Sequence, residues 1–382
     1  MYVVLANLTN GGLSGGSRKY LEVLAPLLAR HPAITRLDLF VPPQAVEALH
    51  QCTRLEWESW LHNDVAHGFR GLRQTLLKRR PDVVFIPSAR WIDCGPAPVV
   101  AMVRNMEPLA VPFAGNPWLE TLKTLARRWV ALRACRQADR IIAVSNFVKE
   151  YLVDNWKLPG DKVATVYHGI DLPGADDEVR RPPGLGQLDR PFLFTAGSIR
   201  PYRGLEDAVG ALPEIIACCG NLSLVIGGET EPAMQPYRNR LQRQAEALGC
   251  ADRIVWSGKL SAAEMAWCFR QCEAFLMTSR VEACPNIVLE AMAHSCLSIS
   301  TTSPPMPEMY GETAFLYRAG QSGELAQQVH AALSLDVGQR YTRQSAARRR
   351  AAEFSWQRTM NETVDQLLCA AGRTDARQSA AA

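Results

Sequence analysis

Two periodicities alternate along this chain. Short apolar runs of strand length recur at Val3–Leu8, Leu37–Val41, Val83–Pro87, Val99–Val103 and Ile141–Ser145. Between them, Ser17–Arg30, Val65–Arg79 and Trp118–Arg136 are longer and amphipathic. This alternation predicts βαβ units and a parallel sheet with helices on its faces. The pattern breaks and then restarts. Phe192–Ala196, Leu222–Gly227, Arg253–Trp256, Ala274–Thr278 and Leu297–Ser300 read as strands, and Asp207–Cys219, Met234–Leu248, Ala262–Arg270 and Ile287–His294 as helices. The break carries Asp176, Asp177, Glu178, Arg180 and Arg181 beside Pro182 and Pro183, so residues 172–190 read as a polar linker.

The expected fold is therefore α/β, with two Rossmann-like, doubly wound domains at 1–171 and 191–353. Ligands of such sheets bind beyond the strand carboxyl ends, so two facing sheets would place the site in a cleft between the domains. A last helix opens at Phe354-Ser355-Trp356, with Ser355 as its cap, and the segment 354–370 holds it. The tail 371–382 is small and polar and is expected to be disordered.

Composition narrows the class. An apolar content of 47% suits globular cores, and a net charge of +4 from 42 basic and 38 acidic residues does not point to nucleic acid. The N-terminus lacks a basic leader and runs straight into a strand, so no signal peptide is expected. No apolar run reaches about 18 residues, the length that spans a bilayer. Eleven cysteines occur singly or as the adjacent pair Cys218-Cys219, without recurring C-x2-C pairs. No zinc site is expected from that spacing, and the thiols read as reduced, in a cytoplasmic chain. Cys268 and Cys272 fall four apart on a predicted helix and read as core.

The most informative stretch runs from Arg280 to Ala293. A strand ends before it and good helix formers follow, so a strand-to-helix step falls at Glu282–Pro285. Proline suits a first helical position. The amides of Asn286, Ile287 and Val288, with the turn at Cys284 and Pro285, would then face outward from a helix start, ready for an anion. Glu282 in the loop and Glu290 eight residues on could accept hydroxyl protons from a sugar or ribose. An ordinary βα turn with two solvated glutamates is the plain alternative.

Four further features bear on function. Asn10-Gly11-Gly12-Leu13-Ser14-Gly15-Gly16-Ser17 follows the first strand, and its glycines permit close backbone approach to a ligand, or merely a pliable connection. Arg200 and Arg203, in Arg200-Pro201-Tyr202-Arg203-Gly204, put two cations at one βα turn, where they could neutralise a departing diphosphate. Arg104, Asn105 and Glu107 sit at a strand end as acceptor-side candidates, or as a surface ion pair. The helix at Trp118–Arg136 interleaves Lys123, Arg127, Arg128, Arg133 and Arg136 with Leu122, Leu125 and Trp129. It could rest on anionic lipid, or present a solvated basic face.

Glu282-Ala283-Cys284-Pro285-Asn286-Ile287-Val288-Leu289-Glu290 resembles the Glu-x7-Glu signature of retaining, nucleotide-sugar-dependent glycosyltransferases of family 4, of the GT-B fold. Ala283-Cys284 replace the family's usual Gly-Phe. Arg200 and Arg203-Gly204 are similar to its Arg…Lys-Gly turn, with arginine for lysine, and Gly15-Gly16 to its first-domain glycine loop. Tyr167-His168-Gly169-Ile170-Asp171 resembles its Asn-Gly-Val-Asp interdomain segment. The family's usual first-domain histidine at the Met102–Pro108 strand end is absent. The resemblance implies sugar transfer from a nucleoside-diphosphate sugar to the hydroxyl of a glycan or lipid-linked acceptor, in bacterial surface glycan or lipopolysaccharide assembly. The anomeric configuration would be kept and no metal or other cofactor used. It implies Arg200 and Arg203 on the diphosphate, Glu282 on sugar hydroxyls, Glu290 on the ribose, and Cys284–Val288 with Gly15 and Gly16 around the donor. The enzyme would be cytoplasmic or peripheral on the inner membrane face, with the last helix crossing back onto the first domain. Alternatives are a nucleotide-sugar epimerase of the same fold and a non-catalytic glycan-assembly protein. Neither the nucleotide base, the sugar nor the oligomeric state is legible.

Overall fold

The structure is a computed structural model. It describes residues 1–8, 15–41, 61–62, 68–110, 118–174, 176–186 and 188–372. The expected glycine loop at Asn10–Ser14, the start of the helix expected from Val65, and the tail from residue 373 lie outside them. The described chain divides into two units. The first holds residues 1–108, 123–169 and the chain from Ser355 onward; the second holds residues 109–122 and Ile170–Phe354.

The first unit carries a parallel sheet in the order β3-β2-β1-β4-β5-β6-β7. Its strands are β1 (Tyr2–Ala6), β2 (Arg36–Phe40), β3 (Leu61–His62), β4 (Val83–Ile86), β5 (Val99–Val103), β6 (Arg140–Ala143) and β7 (Val163–Thr165). Residues on both faces of β4 and β5 are buried, as in a sheet covered on each side. The helices along this part of the chain are α1 (Gly15–Ala29), α2 (Gly68–Arg79), α3 (Glu107–Ala110), α4 (Trp118–Gln137) and α5 (Asn146–Asp154), of which α3 and α4 straddle the division between the units. Ser145, read from sequence as the end of β6, instead caps α5: its hydroxyl accepts from the Val148 amide at 3.2 Å.

The second unit carries a parallel sheet in the order β10-β9-β8-β11-β12-β13. These are β8 (Phe192–Ala196), β9 (Ser223–Gly227), β10 (Ile254–Gly258), β11 (Ala274–Met277), β12 (Ser298–Thr301) and β13 (Phe315–Tyr317). Its helices are α6 (Leu205–Cys219), α7 (Gln235–Ala247), α8 (Ala262–Gln271), α9 (Asn286–Ala293), α10 (Met306–Tyr310), α11 (Ser322–Leu333) and α12 (Val337–Ala352). Leu193, Leu224, Leu276 and Ile299 from four strands meet Val209, Leu212 and Val329 from α6 and α11 in one core.

The segment expected as a polar linker is built into this unit rather than hanging free. The Arg180 amide donates to the Ala263 carbonyl at 3.1 Å, and Leu185 is wholly buried. The last helix, α13 (Trp356–Ala370), packs on α1, β4, β5 and β6 of the first unit. Ser355 caps it, accepting from the Arg358 amide at 3.2 Å.

Candidate functional site

The site is assembled at the carboxyl ends of β8, β9 and β11 in the second unit. β8 pairs in parallel with both of its neighbours, so the turns leaving them emerge side by side. A shallow, open pocket lies there, lined by residues including Gly197, Ser198, Arg203, Gly227, Thr278 and Ser279. This is where parallel α/β sheets take ligands.

The turn after β8 is a short 3-10 helix, Pro201–Arg203, ended by Gly204 in the left-handed conformation at φ 61°. A side chain there would be strained, and its first carbon would lie 2.3 Å from the Thr278 carbonyl. Gly204 therefore lets the β8 and β11 turns touch. Two hydrogen bonds join them: Thr278 Oγ1 donates to the Arg203 carbonyl at 2.6 Å, and the Arg280 amide to the Tyr202 carbonyl at 2.7 Å.

This contact brings two of the sequence-predicted residues together. Arg203 Nη1 lies 2.8 Å from Glu282 Oε1, with each side chain more than four-fifths buried. Ser279 Oγ donates to the same oxygen at 3.0 Å, while Glu282 Oε2 takes no hydrogen bond among the described residues. The pair thus holds the guanidinium in place and leaves one carboxylate oxygen to accept. Gly197 keeps the other side open: a carbon added there would meet Arg203 Cζ at 2.9 Å.

Arg200 is placed differently. It precedes the 3-10 helix and donates to Glu231 Oε2 at 2.7 Å, at the end of an acid that is itself 57% exposed. It does not line the pocket. The helix start after β11 also departs from expectation. Pro285 is the cap rather than the first helical residue, and the Val288 amide is taken by the Pro285 carbonyl at 3.0 Å. The amides of Asn286 and Ile287 are left without a protein acceptor among the described residues, and the buried Asn286 Oδ1 without a donor. Cys284 and Pro285 are buried in that turn, and Glu290 sits half-buried one helical turn on.

A clamp unnoticed in the sequence fixes these loops. Asp207, on the first turn of α6, is buried and accepts from both terminal nitrogens of Arg280 at 2.6 and 2.7 Å. Tyr317 Oη and the Gly320 amide donate to the same carboxylate at 3.0 and 2.9 Å. Burial, reinforced by the adjacent carboxylate, drives the Tyr317 hydroxyl far above its ordinary value, so it stays a donor. Arg280 stands two residues before Glu282, so the clamp sets that loop. Only the spacing of two charged residues on separate elements could have hinted at it, and such pairs are common.

In the first unit, Gly15 and Gly16 are the first residues of α1. Asn105 Oδ1 accepts from the Glu107 amide at 2.9 Å and so closes the turn into α3. The Arg104 guanidinium lies over the Tyr20 ring at 5.0 Å. His168 is buried edge-on to Tyr20 with ring centres 5.2 Å apart. Burial, with Arg104 nearby, holds it down at about 3, so it is neutral at physiological pH and structural in character.

The fold is GT-B. Its solved neighbours include the Anabaena protein HepE in complex with UDP, with a TM-score of 0.74 at 16% identity, covering 97% of this chain and 100% of that one. A glycosyltransferase from Rickettsia africae aligns with a TM-score of 0.73 at 17% identity over 97% of this chain and 98% of that one. Residues 190–334 match the family described as glycosyl transferases group 1, and residues 15–173 match Glycosyltransferase Family 4. The chain belongs to the family 4 glycosyltransferases of the GT-B fold. Among curated relatives, a D-inositol 3-phosphate glycosyltransferase of Geodermatophilus obscurus is 26% identical over 62% of this chain and 53% of its own length. A GDP-mannose-dependent phosphatidylinositol monomannoside mannosyltransferase of Mycolicibacterium smegmatis is 27% identical over 65% of this chain and 68% of its own. The chain spans about half the length of most curated relatives it matches. No helix among the described residues is long and apolar enough to cross a membrane.

Proposed function

We propose that this protein transfers a sugar from a nucleoside-diphosphate sugar to an acceptor hydroxyl with retention of anomeric configuration. The observation that carries the reading is the Arg203–Glu282 pair beside a pocket at the carboxyl ends of β8, β9 and β11. In the reaction, the bond from the anomeric carbon to the diphosphate breaks. A bond to the acceptor oxygen forms on the same face, and the acceptor proton passes to the departing phosphate. Arg203, held against Glu282 in the pocket wall, presents a fixed cation to the charge developing on the leaving group. The unbonded Asn286 and Ile287 amides add donors at the α9 start. Glu282 Oε2 accepts a sugar hydroxyl, Glu290 a ribose hydroxyl, and Arg200 reinforces the field from the rim. No step in this scheme calls for a metal.

The acceptor we infer is glycan or lipid-linked, in bacterial surface glycan assembly, with the enzyme resting on the inner membrane face. The support is α4. Leu122 and Trp129 are 55% and 61% exposed on it, Leu125 is exposed beside them, and Lys123, Arg128, Arg133 and Arg136 surround them. Apolar side chains rimmed by cations suit an anionic bilayer surface better than bulk water.

A thermal-shift panel of nucleotide sugars tests the donor. A true donor at one hundred times its dissociation constant adds about 2.7 kcal/mol of stability. A shift with one base and sugar, followed by product with the same anomeric configuration, supports the reading. Epimerised sugar formed without acceptor would replace it.

A further inference from the structure

We propose that Cys218, Cys219 and His330 form a Zn²⁺ site at the far end of α6, apart from the sugar-transfer chemistry. Their three ligand atoms lie within 4.8 Å of one another. Cys218 Sγ is 3.3 Å from Cys219 Sγ, which is 3.8 Å from His330 Nδ1. With Zn–S bonds of about 2.3 Å and Zn–N bonds of about 2.0 Å at tetrahedral angles, two thiolates sit about 3.8 Å apart, and a thiolate and a ring nitrogen about 3.5 Å apart. The two sulfurs are thus about 0.5 Å closer, and Cys219 Sγ and the ring nitrogen about 0.3 Å farther apart, than in a tetrahedral site, differences that rotations of exposed side chains can close. Cys218 and His330 are exposed and Cys219 is half-buried, which gives an ion a way in.

The backbone favours a cation at the same place. α6 and α11 run side by side and parallel: Gly210 packs on Ser322, Gly323 faces Glu214, and Cys219 faces His330. Both helices therefore end at the cluster. Cys218 and Cys219 are the last residues of α6, and His330 lies in the last turn of α11. The negative ends of two helix dipoles converge on it. Two thiols and an imidazole select a soft or borderline ion, and three protein ligands leave a fourth position for water. Binding displaces one proton from each thiol. Sequence spacing hides the site, because His330 is 111 residues from Cys219.

The consequence is a staple between two helices. α6 has 15 residues and so spans about 22 Å, and its other end carries Asp207, which clamps Arg280. An ion at the far end fixes the helix without reaching the pocket.

The test uses the full chain, reduced and metal-free, titrated with Zn²⁺ against a chromophoric chelator. One tight equivalent is expected, with affinity reduced at least tenfold in Cys218→Ser and in His330→Ala. Zn²⁺ should raise the melting temperature of the wild type but of neither variant. With Co²⁺ as probe, a thiolate-to-metal charge-transfer band should appear and vanish in Cys218→Ser. The surface location predicts unchanged metal-free melting in both variants. No tight equivalent, or one equally tight in His330→Ala, overturns the site and leaves the sugar-transfer reading untouched.

Discussion

The two units use similar sheets for different ends. In the second unit, polar side chains beyond the strand ends are paired with one another, Arg203 with Glu282 and Arg280 with Asp207, beside a pocket that Arg203 lines. In the first unit, a comparable gathering of Arg104, Tyr20, His168 and Trp356 is packed as core. His168 Nδ1 and Trp356 Nε1 there take no hydrogen bond among the described residues. A histidine at a strand end is thus no sign of chemistry by itself. What marks the second unit is that two adjacent turns hold each other while leaving acceptors and amides unspent.

Substitutions should separate these uses. The largest effect belongs to the held cation. Arg203→Ala should lower the transfer rate 10²- to 10³-fold, the loss expected when one preorganised donor to developing charge is removed. Steady-state kinetics with the donor found by thermal shift checks this. Arg200→Ala, whose partner Glu231 is largely exposed, should cost nearer to tenfold; equal losses would show that both arginines reach the diphosphate alike.

Next comes the clamp. Asp207→Ala removes four hydrogen bonds and leaves Arg280 half-buried without its carboxylate. Stability should fall by about 3 kcal/mol by chemical denaturation. A change under 1 kcal/mol would mean the loops are set by other contacts.

The first unit should answer to acid instead. His168 takes up its proton near 6.5 when unfolded but only at about 3 when folded. Between those values the unfolded state binds the extra proton, so stability falls as pH drops below about 6.5, by at most about 1.4 kcal/mol per pH unit. Above that range this contribution is constant. His168→Phe should flatten the slope by one proton's worth in denaturation curves at several pH values, while leaving activity close to wild type. The smallest effect is at the surface: Trp129→Glu should weaken sedimentation with anionic vesicles several-fold and spare activity on a soluble acceptor.

Much of the fold was legible, and for a plain reason. Buried parallel strands are short continuous apolar runs, and the predicted Val99–Val103 and Phe192–Ala196 coincide with β5 and β8. Three-residue edge strands such as β7 were not, since Val163-Ala164-Thr165 is too brief to show a period. The helices α11 and α12 were missed beyond the last predicted strand, although Asp336 and Gln339 form a capping box before the second of them. The Arg203–Glu282 meeting could be expected only through resemblance, because 79 residues separate the two and their approach depends on Gly204. The Asp207 clamp and the Cys218–Cys219–His330 cluster depend on tertiary packing alone.

The central claim is that a nucleoside diphosphate binds in the second unit against Arg203. Calorimetric titration of wild type and Arg203→Ala with the diphosphate of the donor identified by thermal shift tests it most directly. The account predicts at least tenfold weaker binding in the variant; equal affinity in a folded variant would contradict it.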